Sequence, residues 1–333
     1  MRAFCIRAIA FLLLQSLIFV LCRPDWSLPS ETNYLAATID KHLLLERTAS
    51  PRILVVGGSN VPFGIQSDLL ERELGRRTVN LGLVAGLGLE FMLNEVAGSL
   101  GEGDWVILSP EHDLFDGGSK LLNQQQILEY RPASLGYLPF WRAVHLVSDQ
   151  GLGILGGTIR RALNVHLEGP APEPDDATYS RSGFNRWGDY IAHYGPTETL
   201  ATAPRNGPPV VVRPITPATR ARLARFAGLC QARGARCFYT CPPHPRELLQ
   251  PHVGVVEANI AALATIPHLE VLDHAFDQTY DLAQFYDTGY HLTEAGARQR
   301  TEKIVHALKL RTAPLPPLAR PAPPTPPRNR AGL

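Results

Sequence analysis

Short runs rich in β-branched residues alternate in this chain with stretches whose apolar residues recur at helical spacing, and this alternation restricts the fold more than any other feature. Arg52-Ile53-Leu54-Val55-Val56 closes on Gly57-Gly58 and leads into a helical pattern through Leu69, Leu70 and Leu74. Thr78 to Gly82 reads as a second strand and turn, Leu89 to Leu100 as a helix, and Trp105 to Ser109 as a third strand. The alternation stops near Pro110 and resumes near Thr216. Pro217 to Arg233 then reads as a helix, Arg236 to Thr240 as a strand, Val253 to Ala264 as a helix and Leu269 to Asp273 as a fifth strand. A last helix, Thr293 to Leu310, has Thr293 as its N-cap and turns Ala297, Ile304, Val305 and Leu308 inward. Strands joined through helices run parallel and need cover on both faces. The expectation is a three-layer α/β/α domain around a mostly parallel five-stranded sheet.

Four further regions complete the chain. Residues 1–23 hold the apolar run Ala8 to Cys22, preceded by Arg2 and Arg7, and are expected to form a membrane anchor or signal segment. Val20, Leu21 and Cys22 are not the small residues that precede a cleavage site, which favours an uncleaved anchor over a cleaved signal, a lipid anchor on Cys22 or a buried helix. Two arginines on the short side place the N-terminus in the cytoplasm and the rest of the chain outside. Residues 24–50 carry Tyr34, Leu35, Ile39, Leu43 and Leu44 at helical spacing, for a stalk or leading helix. The main domain is expected over 51–312, with a Gly- and Pro-interrupted insertion at about 113–215. Residues 313–333 are too rich in proline for a helix or a sheet interior and read as an extended tail.

Composition excludes several classes. With 333 residues, 45% of them hydrophobic and 19% charged, the chain is neither disordered nor polytopic. A formal charge of +1 offers no broad positive field, so nucleic acid is not an expected partner. Five cysteines do not make a disulfide scaffold, although Cys230 could bridge Cys237 or Cys241 outside the cytoplasm. No C-x-x-C spacing points to a metal, and no cofactor is implied.

In open α/β sheets, sites gather at the carboxyl ends of the strands. After the first strand comes Gly57-Gly58-Ser59-Asn60, where Ser59 would lie at a helix start that favours developing negative charge, or would simply cap that helix. Neither G-x-G-x-x-G nor G-x-x-x-x-G-K is present in that turn. Before the last helix, Asp287 and His291 share the loop Phe285 to Thr293, which should face the same sheet edge as Ser59. Glu111, His112 and Asp113 follow the third strand but point in different directions, so a metal site is not expected there. His244, among Pro242, Pro243 and Pro245, reads as a rigid loop cap, and Phe184 to Asp189 as a sugar-binding edge or a turn with Trp187 packed inward.

ILVVGGSNVPFG, then NLG, then YDTGYHLTEAGARQRT together resemble the SGNH, or GDSL-like, hydrolase superfamily, over about 200 residues in two segments. Within it the chain is similar to membrane-anchored extracytoplasmic members that work in polysaccharide or teichoic-acid acylation. The resemblance implies a flavodoxin-like fold, with Ser59 as nucleophile, His291 as base, Asp287 as orienting acid and Gly82 as an oxyanion donor. Three residues separate Asp287 from His291 where the family has two, which leaves Asp281 as an alternative acid. The family's third-block asparagine is absent; Glu111 stands nearby, and Asn60 or Asn185 would have to donate in its place. The implied function is an extracytoplasmic serine esterase or O-acyltransferase acting on an acylated carbohydrate or cell-envelope polymer. Its setting would be the inner membrane, single-pass, with the main domain in the periplasm. The alternative is a non-catalytic binding or assembly partner of a membrane acyltransferase or polysaccharide system.

Overall fold

The computed structural model describes residues 32–148, 179–195, 198–202 and 210–312, together with residues 7, 11, 14 and 15. Strands β1 (Arg52–Gly57), β2 (Arg77–Asn80), β3 (Trp105–Ser109), β4 (Arg236–Tyr239) and β5 (Leu269–Val271) form one sheet in the order β2-β1-β3-β4-β5. Every neighbouring pair is parallel. All residues of the central strands β1 and β3 are buried, as continuous apolar runs covered on both faces should be.

Seven helices matter for the layers: α1 (Ala37–Arg47), α2 (Ser67–Leu74), α3 (Leu89–Ala97), α4 (Leu121–Tyr130), α5 (Pro217–Ala232), α6 (Val253–Ala264) and α7 (Glu294–Thr312). The period of two along each strand divides the core between them. Ile53, Val55, Ile107 and Phe238 pack with Leu70 of α2 and with Ile304, Val305 and Leu308 of α7. Leu54, Val56, Val106 and Leu108 face the other way, toward Leu45, Phe91, Ile127, Leu223 and Val256. Helix ends follow local chemistry. Gly75 ends α2 at φ 65°, Thr216 caps α5 by accepting from the Thr219 amide, and Thr293 Oγ1 accepts from Gly296 N at 3.4 Å at the start of α7.

Two regions join the main core more closely than their sequence shows. The leading helix is no free stalk: Leu35, Ile39 and Leu45 enter the main core, and Lys41 is buried, its Nζ donating to Gly188 O at 2.5 Å and Asn80 O at 3.0 Å. Within the stretch read as an insertion, α4 buries Ile127, Leu128 and Tyr130 in that same core. Its polar residues hid it, because Gln124 is also buried and uses its amide to donate to Leu87 O at 2.8 Å.

Cys230, Cys237 and Cys241 are free and buried, so the bridge considered from Cys230 is not formed. Among the described residues, no helix is long and apolar enough to cross a membrane. The expected anchor, apart from residues 7, 11, 14 and 15, and the proline-rich tail lie outside the described residues.

Candidate active site

The turn after β1 is built around close approaches. A Cβ on Gly57 would lie 2.3 Å from Ser109 O, and one on Gly58 would lie 2.4 Å from both carboxylate oxygens of Glu111. Glycine is therefore required at Gly57, where the backbone at the end of β3 comes so near, while a side chain at Gly58 would have to displace the Glu111 carboxylate. Glu111 uses that proximity: its carboxylate accepts from Gly58 N at 3.0 Å and Asn60 N at 3.1 Å, the amides on either side of Ser59. From the opposite side α7 sends in Arg300, fully buried, whose Nη1 donates to Asn60 O at 2.9 Å and whose Nη2 donates to Ser109 Oγ at 2.7 Å. Burial pushes the Glu111 carboxyl above its usual range and the Arg300 guanidinium below its own. Ser59 stands between these supports, half-buried, with no hydrogen-bond partner for its hydroxyl or its amide among the described residues.

The late loop brings two of the expected residues together. Asp287 Oδ1 lies 2.7 Å from His291 Nδ1. Tyr286 N donates to His291 O at 2.8 Å and His291 N to Thr288 O at 3.3 Å, a turn that absorbs the extra residue between acid and base. Tyr179 adds a third member: its hydroxyl donates to Asp287 Oδ2 at 2.5 Å and stands 3.2 Å from His291 Nδ1. Both neighbours occupy Nδ1, so Nε2 is left without a partner among the described residues. Burial alone would raise the Asp287 carboxyl; the hydrogen bond and charge of His291, with the Tyr179 hydroxyl, outweigh it and hold the group below its usual range. Phe63 joins this loop to the serine turn. Its amide donates to Ser59 O at 3.2 Å, and its ring stacks on the His291 imidazole at 4.0 Å and 12°. Asp281 is exposed and caps the short helical turn Leu282–Gln284, so the partner of His291 is Asp287.

The remaining expected donors are committed elsewhere. Gly82 N donates to Asn80 Oδ1 at 3.0 Å, and its missing Cβ makes room for Val61 and Pro62, which a methyl would meet at 2.5 and 2.6 Å. The Asn60 side chain is wholly buried, donating to Ser109 O at 2.8 Å. Asn185 closes its own turn by accepting from Trp187 N and Asp189 N, both at 3.0 Å. In that turn Trp187 is half-buried and donates to Glu71 Oε2 at 3.1 Å, which braces α2. None of the three groups considered for an oxyanion is free, whereas the Ser59 amide has no partner among the described residues.

His244, read from sequence as a rigid loop cap, faces inward. It is wholly buried, with Nε2 3.2 Å from His112 Nδ1 and its ring centroid 4.9 Å from that of Tyr290. Desolvation holds both imidazoles neutral, His112 down to about 3 and His244 well below its ordinary value. Glu111, His112 and Asp113 make no metal cluster, and among the described residues no group of three His, Cys, Asp or Glu side chains is placed to hold an ion. Sequence reasoning passed over Phe63 and Arg300, although both lie inside the two family-like blocks. It passed over Tyr179 and Lys41 because nothing local marks them. No protein-family model matches the chain, and no curated protein does either.

Proposed function

We propose that this chain is an SGNH-type serine esterase or O-acyltransferase, working outside the cytoplasm on an acylated carbohydrate or cell-envelope polymer and held at the inner membrane by residues 1–23. The observation that carries the reading is the Asp287–His291 pair, 2.7 Å apart at Nδ1 with Nε2 free, sharing Phe63 with the turn that presents an unpartnered Ser59. Asp287 would hold the proton on Nδ1, leaving Nε2 as base. Ser59 Oγ then bonds to the acyl carbonyl carbon as Nε2 takes its proton, and the carbonyl oxygen gains negative charge near the Ser59 amide. Collapse breaks the ester bond, and the leaving alkoxide takes the proton from Nε2. Water or a sugar hydroxyl then attacks the acyl-serine by the same sequence in reverse. Removing one oxyanion donor lowers turnover by roughly 10²- to 10³-fold, so a site with one uncommitted amide should be slow.

That shortage also supports a second reading, a non-catalytic SGNH-like partner of a membrane acyltransferase or polysaccharide system. Gly82, Asn60 and Asn185 all direct their donors to other residues, and no hydrogen bond joins Ser59 to His291. One experiment separates the two. The full chain is assayed on a small activated acetyl ester and treated with a covalent serine probe. The enzyme reading expects labelling at Ser59 and a loss of about 10³-fold or more in Ser59→Ala and in His291→Ala. Turnover that persists in Ser59→Ala, or labelling elsewhere, overturns it; a folded chain with neither labelling nor turnover favours the partner reading.

A further inference from the structure

We infer that Tyr179 is a positioning residue for the Asp287–His291 pair, and that the segment entering the domain at Thr32 to Asp40 sets Tyr179 in place. The inference rests on the enzymatic reading above and adds to it a device that regulates the site.

The first half follows from two distances. One hydroxyl reaches both members of the pair, 2.5 Å from Asp287 Oδ2 and 3.2 Å from His291 Nδ1. Asp287 Oδ1 is already taken by the imidazole, so Tyr179 fixes the carboxylate's other oxygen and with it the plane in which the carboxylate faces Nδ1. A carboxylate held at both oxygens cannot rotate away from its histidine. The tyrosine ring is fixed in turn, 5.7 Å from Phe63 and 5.5 Å from Tyr34 by ring centroids.

The second half follows from what holds residues 179–181. Ser180 forms an antiparallel bridge with Asn33, and Arg181 N donates to Thr32 O at 2.8 Å. Arg181 grips Asp40 of α1 through two bonds, Nε to Oδ2 at 2.5 Å and Nη2 to Oδ1 at 2.6 Å. Tyr34 packs its ring on Tyr179 and donates its hydroxyl to Leu83 O at 2.8 Å, on the loop beyond β2. A shift of Asn33, Tyr34 or Asp40 would therefore loosen the hold on Tyr179 and, through it, on Asp287. Conformation at the chain's entry point is coupled to the alignment of the base.

The test uses the full chain with Tyr179→Phe, Arg181→Ala and the double variant. Two measurements are made: ester turnover, and the proton resonance of the His291 Nδ1–H group, which reports the pair whether or not the protein is an enzyme. Tyr179→Phe should lower kcat about tenfold with KM within about twofold, and should shift that resonance. Arg181→Ala should move both in the same direction by a smaller amount, about threefold in kcat, with Arg181→Lys recovering most of it. The double variant should match Tyr179→Phe alone, because Arg181 acts through Tyr179. An unshifted resonance in Tyr179→Phe overturns the first half. A double variant whose losses multiply in full overturns the second. Absent turnover in the wild type with a resonance that still shifts removes the enzymatic reading and leaves the positioning role standing.

Discussion

A single methyl group is enough to test the architecture around Ser59. In Gly58→Ala the new Cβ would sit 2.4 Å from the Glu111 carboxylate, which must then leave the amides of Gly58 and Asn60. Each buried donor left unpaired costs about 1–3 kcal/mol, and in a domain of this size each kcal/mol lowers Tm by roughly 2–4 °C. Gly58→Ala should thus melt several degrees lower than the wild type. Glu111→Leu should resemble it, and thermal denaturation of the two is the check; a melting point within one degree of wild type in both would mean that the carboxylate does not hold this turn. At this scale Ser59, Asp287 and His291 were legible, because each sits in a short motif whose place after a strand or before a helix limits what it does. Glu111 was legible as a carboxylate near Ser59, but its partners were not: the amides it holds are 51 and 53 residues away in the chain. Tyr179 was illegible for the same reason, with 108 residues between it and Asp287. An isolated tyrosine in an irregular stretch carries no periodicity, and only the closed fold says what it meets.

The strands and their helices were legible as elements, since burial on both faces imposes continuous apolar runs that show directly in sequence. What failed was the interval between β3 and β4, where α4 carries three successive glutamines, one of them, Gln124, buried, and so breaks the apolar period. The loops after β3 and β4 meet through His112 and His244, a contact that gives the fold a pH dependence of definite sign. Burial lowers the folded-state value of each imidazole, to about 3 for His112, while in the unfolded chain both titrate near their ordinary 6.5. The unfolded state thus binds more protons below about 6.5, so the stability these neutral histidines allow is complete above that pH and is lost as pH falls toward the folded values. The slope is on the order of 1 kcal/mol per pH unit for each histidine. His193, brought down to about 4 mainly by burial, adds to it. Melting curves should shift downward between pH 7 and pH 5, and the His112→Leu, His244→Leu double variant should shift less. An equal shift in that variant would assign the acid sensitivity to other groups.

At the scale of the whole molecule, the chain's point of entry lies beside the catalytic candidates. Asn33 pairs with Ser180, and Tyr34 rests on Tyr179. Nine residues, 24–32, separate Asn33 from the expected anchor, a length of chain that reaches at most roughly 30 Å. If residues 1–23 lie in the bilayer, the Asp287–His291 pair works close above the membrane surface, where a polymer emerging from a synthase or an acyl group handed on by a membrane acyltransferase would be met. Topology comes first: a reporter fused after Thr312 should be active outside the cytoplasm, and activity inside would remove both the anchor and the envelope substrate. Distance is tested next by inserting a flexible spacer of about 40 residues between residues 24 and 31, which in a Gly- and Ser-rich form would have an end-to-end distance of roughly 35 Å. The spacer leaves the described domain unaltered, so hydrolysis of a small soluble ester should be unchanged. Acylation or deacylation of the membrane-attached polymer should fall severalfold, because the site would no longer be confined near its substrate. Polymer modification that continues at the wild-type rate with the spacer in place would show that nearness to the bilayer has no part in the function, and would direct the search for substrate to soluble acylated carbohydrates.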